Sequence, residues 1–537
     1  MNRFILSGSI SAFVMASSAA QAFPTAKEQA TTFEGKEKIF ESYMPSPSAP
    51  SVGVGFGGMS AYDSVRINGF RYNPPDTNGA VGSTQYMELI NGVFGVYSKA
   101  GVKLAEGSDN NFWTQKAGRS GSFGDGRILF DKASSRWVAI GLNDDLSKIN
   151  VAVSNTSDAL GGWNGATFQG FAAGGIADYP TLAIDSKAIY IGTNNFTSSY
   201  QGTTLNVLSR AAIFGATGPD VSGKQSFVTP YPPGALADIT RGFAIQGVNG
   251  AKGNGKAIAA DAYSNDIVVY DIHNPGSGSA ALGASTYLSN VGGRAFDDVS
   301  AARQPSGYDG LPSRVVDALD YRISSAAIEV KGKIYAIHTV TPTGTDHDAV
   351  RLVVIDATTK VVLSETDISD PNYDFFQGSL SVNAAGQIVV GYNRSGYAAA
   401  DGKIRLYARV YKDNGTGVLT QKGGDLLLKE SDTDRYVTGV LYGSDPSVAR
   451  QRWGDYSTVT IDPTNMHSFW VVGEFAREFN RPEDGHPGGR GQGRWGTWIS
   501  EISVGSVPEP SSWGLMIAGF SIVGAAARRR RQGVVTA

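Results

Sequence analysis

The 537-residue chain has a formal net charge of −3, 41% hydrophobic and 18% charged residues, 68 glycines and no cysteine. This composition excludes a disordered polyelectrolyte, and the missing cysteines exclude thiol catalysis, Cys-ligated zinc and iron–sulfur chemistry. The mild acidity excludes the basic footprint that nucleic acid or an anionic membrane surface demands.

At the N-terminus, Arg3, the apolar stretch Phe4 to Ala16, and Ala20-Gln21-Ala22 have the layout of a secretory signal peptide over residues 1–22. Cleavage would leave Phe23 as the first mature residue, and the partners implied are the Sec translocon and signal peptidase. Residues 24–43 read as a short polar helix and 45–50 as an extended Pro-rich linker, so 23–50 leads into the folded body. Ser51-Val52-Gly53-Val54-Gly55-Phe56 is strand-like and has no neighbour of its own to pair with.

From residue 78 onward one unit recurs seven times. Its marker is an apolar strand ending in a small or polar residue, at 86–90, 137–140, 190–193, 258–260, 335–338, 388–391 and 470–473. A shorter strand of small residues lies upstream of each, as at 128–130, 181–184 and 379–382. A strand of alternating pattern follows each, as in Val93-Phe94-Gly95-Val96-Tyr97, and a variable fourth closes most units. Small residues first and larger ones behind suit a propeller blade, whose first strand lines a crowded channel. The expected fold is therefore all-β, a β-propeller of seven four-stranded blades over 51–506. The seventh unit runs out of chain near 503, and 51–56 is expected to pair with it, removing open sheet edges.

Residues just ahead of the first strands should converge at one mouth of that channel. Asp76, Arg127, Tyr179, Arg241, Arg322, Gln377 and Trp453 form the expected ligand-binding set, because Arg forks hold carboxylates and aromatic rings stack on sugar faces. Asp125, Asp178, Asp455 and Tyr456 are the candidates for catalysis, carboxyl groups being able to serve as acid and base. The competing reading makes these Asp residues turn caps and the Arg residues ties between blades. His338, at the end of a second strand, reads as a packed, hydrogen-bonded residue rather than a base, and His347 lies in the same unit. Asp76-Thr77-Asn78-Gly79 opens like a calcium loop but has Met87 at its twelfth place. No metal or cofactor is expected, calcium entering only by another geometry.

Arg127, Arg241 and Arg322 resemble the arginine triad with which sialidases, themselves propellers, grip a carboxylate. The turn-to-aromatic stretches Asp131 to Trp137 and Asp462 to Trp470 resemble their Asp-box, although neither spells Ser-x-Asp-x-Gly-x-Thr-Trp. The likeness implies a propeller body and no particular activity.

At the other end, Val507-Pro508-Glu509-Pro510 precedes an apolar run over 511–527 and then Arg528, Arg529, Arg530 and Arg531. Arg residues behind an apolar helix hold that end on the cytoplasmic side. Over 507–537 this order resembles the PEP-CTERM sorting signal of Gram-negative bacteria. The likeness implies an exosortase as partner, transient inner-membrane anchoring by a transmembrane helix, and delivery to the cell surface or extracellular matrix. Such signals accompany exopolysaccharide production, so the expected function is a non-enzymatic propeller that binds carbohydrate, extracellular polysaccharide in particular. A secreted glycoside hydrolase or polysaccharide lyase, and a protein-interaction scaffold, stay open as alternatives.

Overall fold

The structure, a computed structural model, describes residues 49–505 apart from 172–174, 231–241, 262–265, 289–295, 298, 306–314, 399, 435, 439–440, 443–449 and 480–492. The signal peptide with Ala20, Ala22 and Phe23, the expected N-terminal helix, Arg241, and the sorting residues Pro508 to Pro510 and Arg528 to Arg531 lie outside the described residues. Among the described residues no helix is long and apolar enough to cross a membrane.

Strand makes up 57% of the structure and helix 5%, so the fold is all-β. Four-stranded antiparallel sheets form over 79–108, 122–169 and 374–430, a five-stranded one over 176–230, and two antiparallel four-strand arrays over 242–288 and 327–368 that are joined by a short parallel pairing of Val248 with Ala327. A further sheet over 458–503 has only three strands of its own. Its fourth is the strand Ser51–Ser60, antiparallel to Gly493–Ser503, with Ser51 opposite Ser503 and Phe56 opposite Ile499. Turn chemistry sets the hairpins: Lys331 (φ 52°) and Gly332 (φ 74°) make the tight turn that brings Val330 opposite Lys333.

Each sheet packs on the next in chain order and the last packs on the first. A separate apolar cluster fills each junction. Met87, Phe112 and Trp137 lie between the first two sheets, and Val81, Tyr86, Trp470 and Ile499 between the last and the first. Close approach demands small residues: a Cβ on Gly192 would stand 1.8 Å from the Ile245 carbonyl oxygen.

The innermost strands are also tied by side chains. Asn78 Nδ2 donates to Thr458 Oγ1 (2.9 Å), Thr181 Oγ1 to the Ile245 carbonyl (3.0 Å), and Gln246 Nε2 to the Ile323 carbonyl (2.8 Å). Ser324 Oγ donates to the Gly378 carbonyl and Ser457 Oγ to the Gln377 carbonyl, both at 2.7 Å. Every one of these bonds joins two sheets. At the junction of the chain ends, buried Glu88 accepts from the Met59 N–H (2.9 Å), from Tyr97 Oη (3.4 Å) and from Thr497 Oγ1.

Some features have no counterpart in the sequence reading. A short helix, Ala61–Asn68, follows the N-terminal strand, capped by Ser60 Oγ accepting from the Asp63 N–H. Connections after the fourth and sixth sheets also build a small sheet of Ala302–Arg303, Val315–Val316, Leu441–Tyr442 and Arg450–Gln451. Beneath it, Phe296, Val316, Tyr321, Tyr436 and Trp453 join one buried cluster.

Candidate functional site

The inner strands begin with strained backbone. Asp76 (φ 50°), Asp125 (φ 53°), Tyr179 (φ 52°), Ala244 (φ 50°) and Gln377 (φ 55°) all lie in the left-handed region. Register shifts at 124–127, 243–246 and 376–379 show that Asp125, Ala244 and Gln377 sit in bulges, which re-aim the side chains beside them. Left-handed non-glycine residues are uncommon, and five at equivalent places mark a surface the fold maintains at a cost.

The starts of the inner strands bring four carboxyl groups together. Asp76 accepts from the Asp455 N–H (2.7 Å) and from Asn91 Nδ2 (2.7 Å), while Asn91 Oδ1 accepts from the Asp125 N–H (2.7 Å). Asp125 in turn accepts from the Tyr179 N–H (3.3 Å), beside Asp178. Burial, then the neighbouring Asp455 and Asp125, raises Asp76 well above the ordinary carboxyl range. Asp125 is pushed up to about 7 by burial and by Asp178 and Asp455. Asp178 is likewise pushed up to about 7, by burial and by Asp455. Asp76 and Asp455 are buried, whereas Asp125 and Asp178 keep part of their surface open.

A layer of alternating cations and rings lies against them. The Arg127 guanidinium stands 3.2 Å over Tyr456 and 5.2 Å from Tyr179. Arg322 stands 4.3 Å from Tyr179 on its other side and 4.9 Å from Phe243. Tyr179 and Tyr456 meet edge to face at 5.8 Å. Such contacts hold charge and ring rigidly without using the donors of the guanidinium.

Not every expected site residue is available to a ligand. Arg322 spends its fork on Asp320, with Nε and Nη2 both at 2.7 Å from its carboxylate. The sialidase-like grip of a ligand carboxylate is therefore closed at this position. Arg127 ties two sheets by donating Nε to the Pro180 carbonyl (2.9 Å). Trp453 is fully enclosed, edge-on to Tyr436 at 4.6 Å, and has no face left for a sugar. Gln377 is buried and donates to the Gly454 carbonyl. His338 is packed as expected, its Nδ1 3.1 Å from the Tyr321 carbonyl, and burial lowers it to about 4.

Four participants went unread in the sequence. Buried Arg452 bonds Asp455 (2.7 Å) and Asp317 (3.3 Å), Asp320 holds Arg322, and Glu474 accepts from the Gly454 N–H (2.8 Å). The density of Arg, Asp and aromatic residues over 450–456 was the available signal for Arg452. The Asp-box-like turns are structural staples: Asp462 accepts from Thr464 N–H (2.8 Å), from Lys99 (2.9 Å) and from Trp470 Nε1 (3.4 Å). Among the described residues no three His, Asp or Glu side chains converge as metal ligands.

Residues 506–531 match the PEP-CTERM protein-sorting motif. That motif implies an exported protein, transiently anchored in the membrane and processed by an exosortase. No curated protein sequence matches the chain. Solved structures similar to it include a Dyadobacter fermentans protein of unknown function, at 11% identity and TM-score 0.37, over 85% of this chain and 100% of that one. The extracellular domains of Drosophila Semaphorin 1b align at 10% identity and TM-score 0.36, over 84% of this chain and 87% of that one. The polysaccharide lyase Uly1 aligns at 9% identity and TM-score 0.34, over 69% and 88%. Likenesses this distant carry nothing over to the chemistry of this chain.

Proposed function

We propose that residues 51–506 are a seven-bladed β-propeller closed by its N-terminal strand, exported to the cell surface or matrix, and that its carboxylate mouth binds a neutral, hydroxyl-rich saccharide. The observation that carries this reading is the unequal availability of charge. Arg322 is consumed by Asp320, while Asp125 and Asp178 stay half-open and present acceptors. Open acceptors beside an Arg322 fork that is already consumed favour a ligand that donates hydrogen bonds, as sugar hydroxyls do, over a uronate or sialate. Asp178→Asn tests it by affinity electrophoresis of residues 49–505 in gels containing neutral and acidic polysaccharides. Retention by a neutral polysaccharide that the substitution weakens supports the reading; retention by acidic polysaccharides alone overturns it.

The alternative, glycoside hydrolysis, draws on one observation. Two carboxyls that titrate about 7 can hold one proton between them at neutral pH, as acid–base catalysis requires. Release of reducing ends by the wild type, abolished in Asp125→Asn or Asp178→Asn, would decide for it.

A further inference from the structure

A cavity of about 250 Å³ runs along the innermost strands on the other side of the cation–ring layer, and it is lined by residues from all seven sheets. Its chemistry differs from that of the mouth. Among the described residues Arg127 is the only charged one lining it; none of Asp76, Asp125, Asp178 or Asp455 reaches it. Hydroxyl and amide groups such as Ser324, Thr458 and Gln246 surround the Arg127 end, and Phe130, Ile184 and Ile461 make the far part apolar. Those three apolar residues are partly exposed, so the far end opens to solvent.

Arg127 is 9% exposed, donates through Nε alone, and forms no ion pair among the described residues. Its two terminal nitrogens have no acceptor among the described residues and are not sealed from the cavity, and the partner that suits a guanidinium fork best there is an anion. An apolar cavity of about 150 Å³ already holds benzene, so this one has room for a longer molecule.

We infer that the channel is a binding site for a small amphiphilic anion, its carboxylate or similar head on Arg127 and its apolar body toward Phe130 and Ile461. The site shares Arg127 and Tyr179 with the layer behind the carboxylate mouth but takes its ligand from the channel, whatever the mouth binds.

Octanoate, octanol and octylamine are suitable probes, titrated calorimetrically into the purified exported protein. Octanoate should bind saturably and at least tenfold more tightly than octylamine, with octanol between them. Arg127→Gln, which keeps a donor and removes the charge, should bring octanoate down to the level of octanol. Ala326→Phe, which fills the lumen from a partly exposed lining position, should abolish binding of both while the mouth retains its own ligand. Should either variant fail to fold, the three wild-type titrations and the other variant still decide. No saturable octanoate binding, equal affinity for octanoate and octylamine, or full binding by folded Ala326→Phe overturns the inference.

Discussion

Met59 donates its backbone N–H to the carboxylate of Glu88 at 2.9 Å, joining the segment that enters the fold first to the first sheet of the main body. The same carboxylate accepts from Thr497 on the last strand. One buried side chain thus holds three distant parts of the chain together.

Burial pushes Glu88 up to about 7, from an ordinary value of 4.5. The folded protein then binds a proton that the unfolded chain releases, so this contribution is full below about pH 4.5 and is lost as pH rises through 7. Asp109, at about 6, and Asp348, at about 7, shift the same way through burial. Melting temperature should therefore fall by several degrees between pH 5 and pH 8. Glu88→Gln should flatten part of that slope, matching wild type near pH 5 and exceeding it at pH 8 in thermal melts.

Two adjacent glycines of the first strand should respond oppositely. A Cβ on Gly58 would meet Thr497 Oγ1 at 2.3 Å and Glu88 Oε2 at 2.5 Å, whereas nothing lies within 4 Å of one on Gly57. Gly58→Val is expected to cost about 1–3 kcal/mol and Gly57→Val almost nothing. Urea unfolding of both variants measures the difference, and equal stability would show that the strand does not need the Glu88 clamp.

Trp453→Ala should destabilise by about 3–5 kcal/mol, the cost of emptying an enclosed aromatic site. A ligand-stacking tryptophan would instead lose retention with its melting curve intact. Measuring both on one variant separates the roles.

Retention by the mouth should strengthen as pH rises through 7, because Asp125 and Asp178 titrate there and an ionised carboxylate accepts more strongly from hydroxyls than a neutral carboxyl does. Asp178→Asn should weaken it about tenfold, one charged hydrogen bond, with a melting temperature no lower than wild type. A pH-independent affinity would remove these carboxylates from the contact.

Exosortase processing predicts that exported protein yields no peptide containing Arg528 to Arg531. Mass spectrometry of surface material and of whole cells checks it; an intact basic tail on the surface form would contradict processing.

The strands were legible because each is a short apolar or alternating run between turn residues, and Ser51 to Phe56 could be assigned its partner because the last sheet lacked a strand. Asp76, Asp125, Asp178 and Asp455 could be grouped because inner strands start at one end. The small sheet over 302–316 and 441–451 was not legible. Its strands are only two residues long, carry no period, and gain their place from burial of Trp453, Tyr436 and Phe296 rather than from pairing. For the same reason the sequence could not tell Arg322 as a grip from Arg322 as the partner of Asp320. That distinction depends on a contact two residues away whose geometry only the folded backbone supplies.

The pairing of Ser51–Ser60 with Gly493–Ser503 has a consequence for the order of events in export. A chain threaded through a membrane from its N-terminus delivers one edge first and the only strand that covers it last. Until Ser503 has crossed, the earliest strand waits without a partner and the seventh sheet is incomplete, so assembly cannot finish ahead of transport. The matched sorting motif begins at 506, directly behind that final strand. The last residues needed to complete that sheet therefore stand immediately ahead of the motif in the chain.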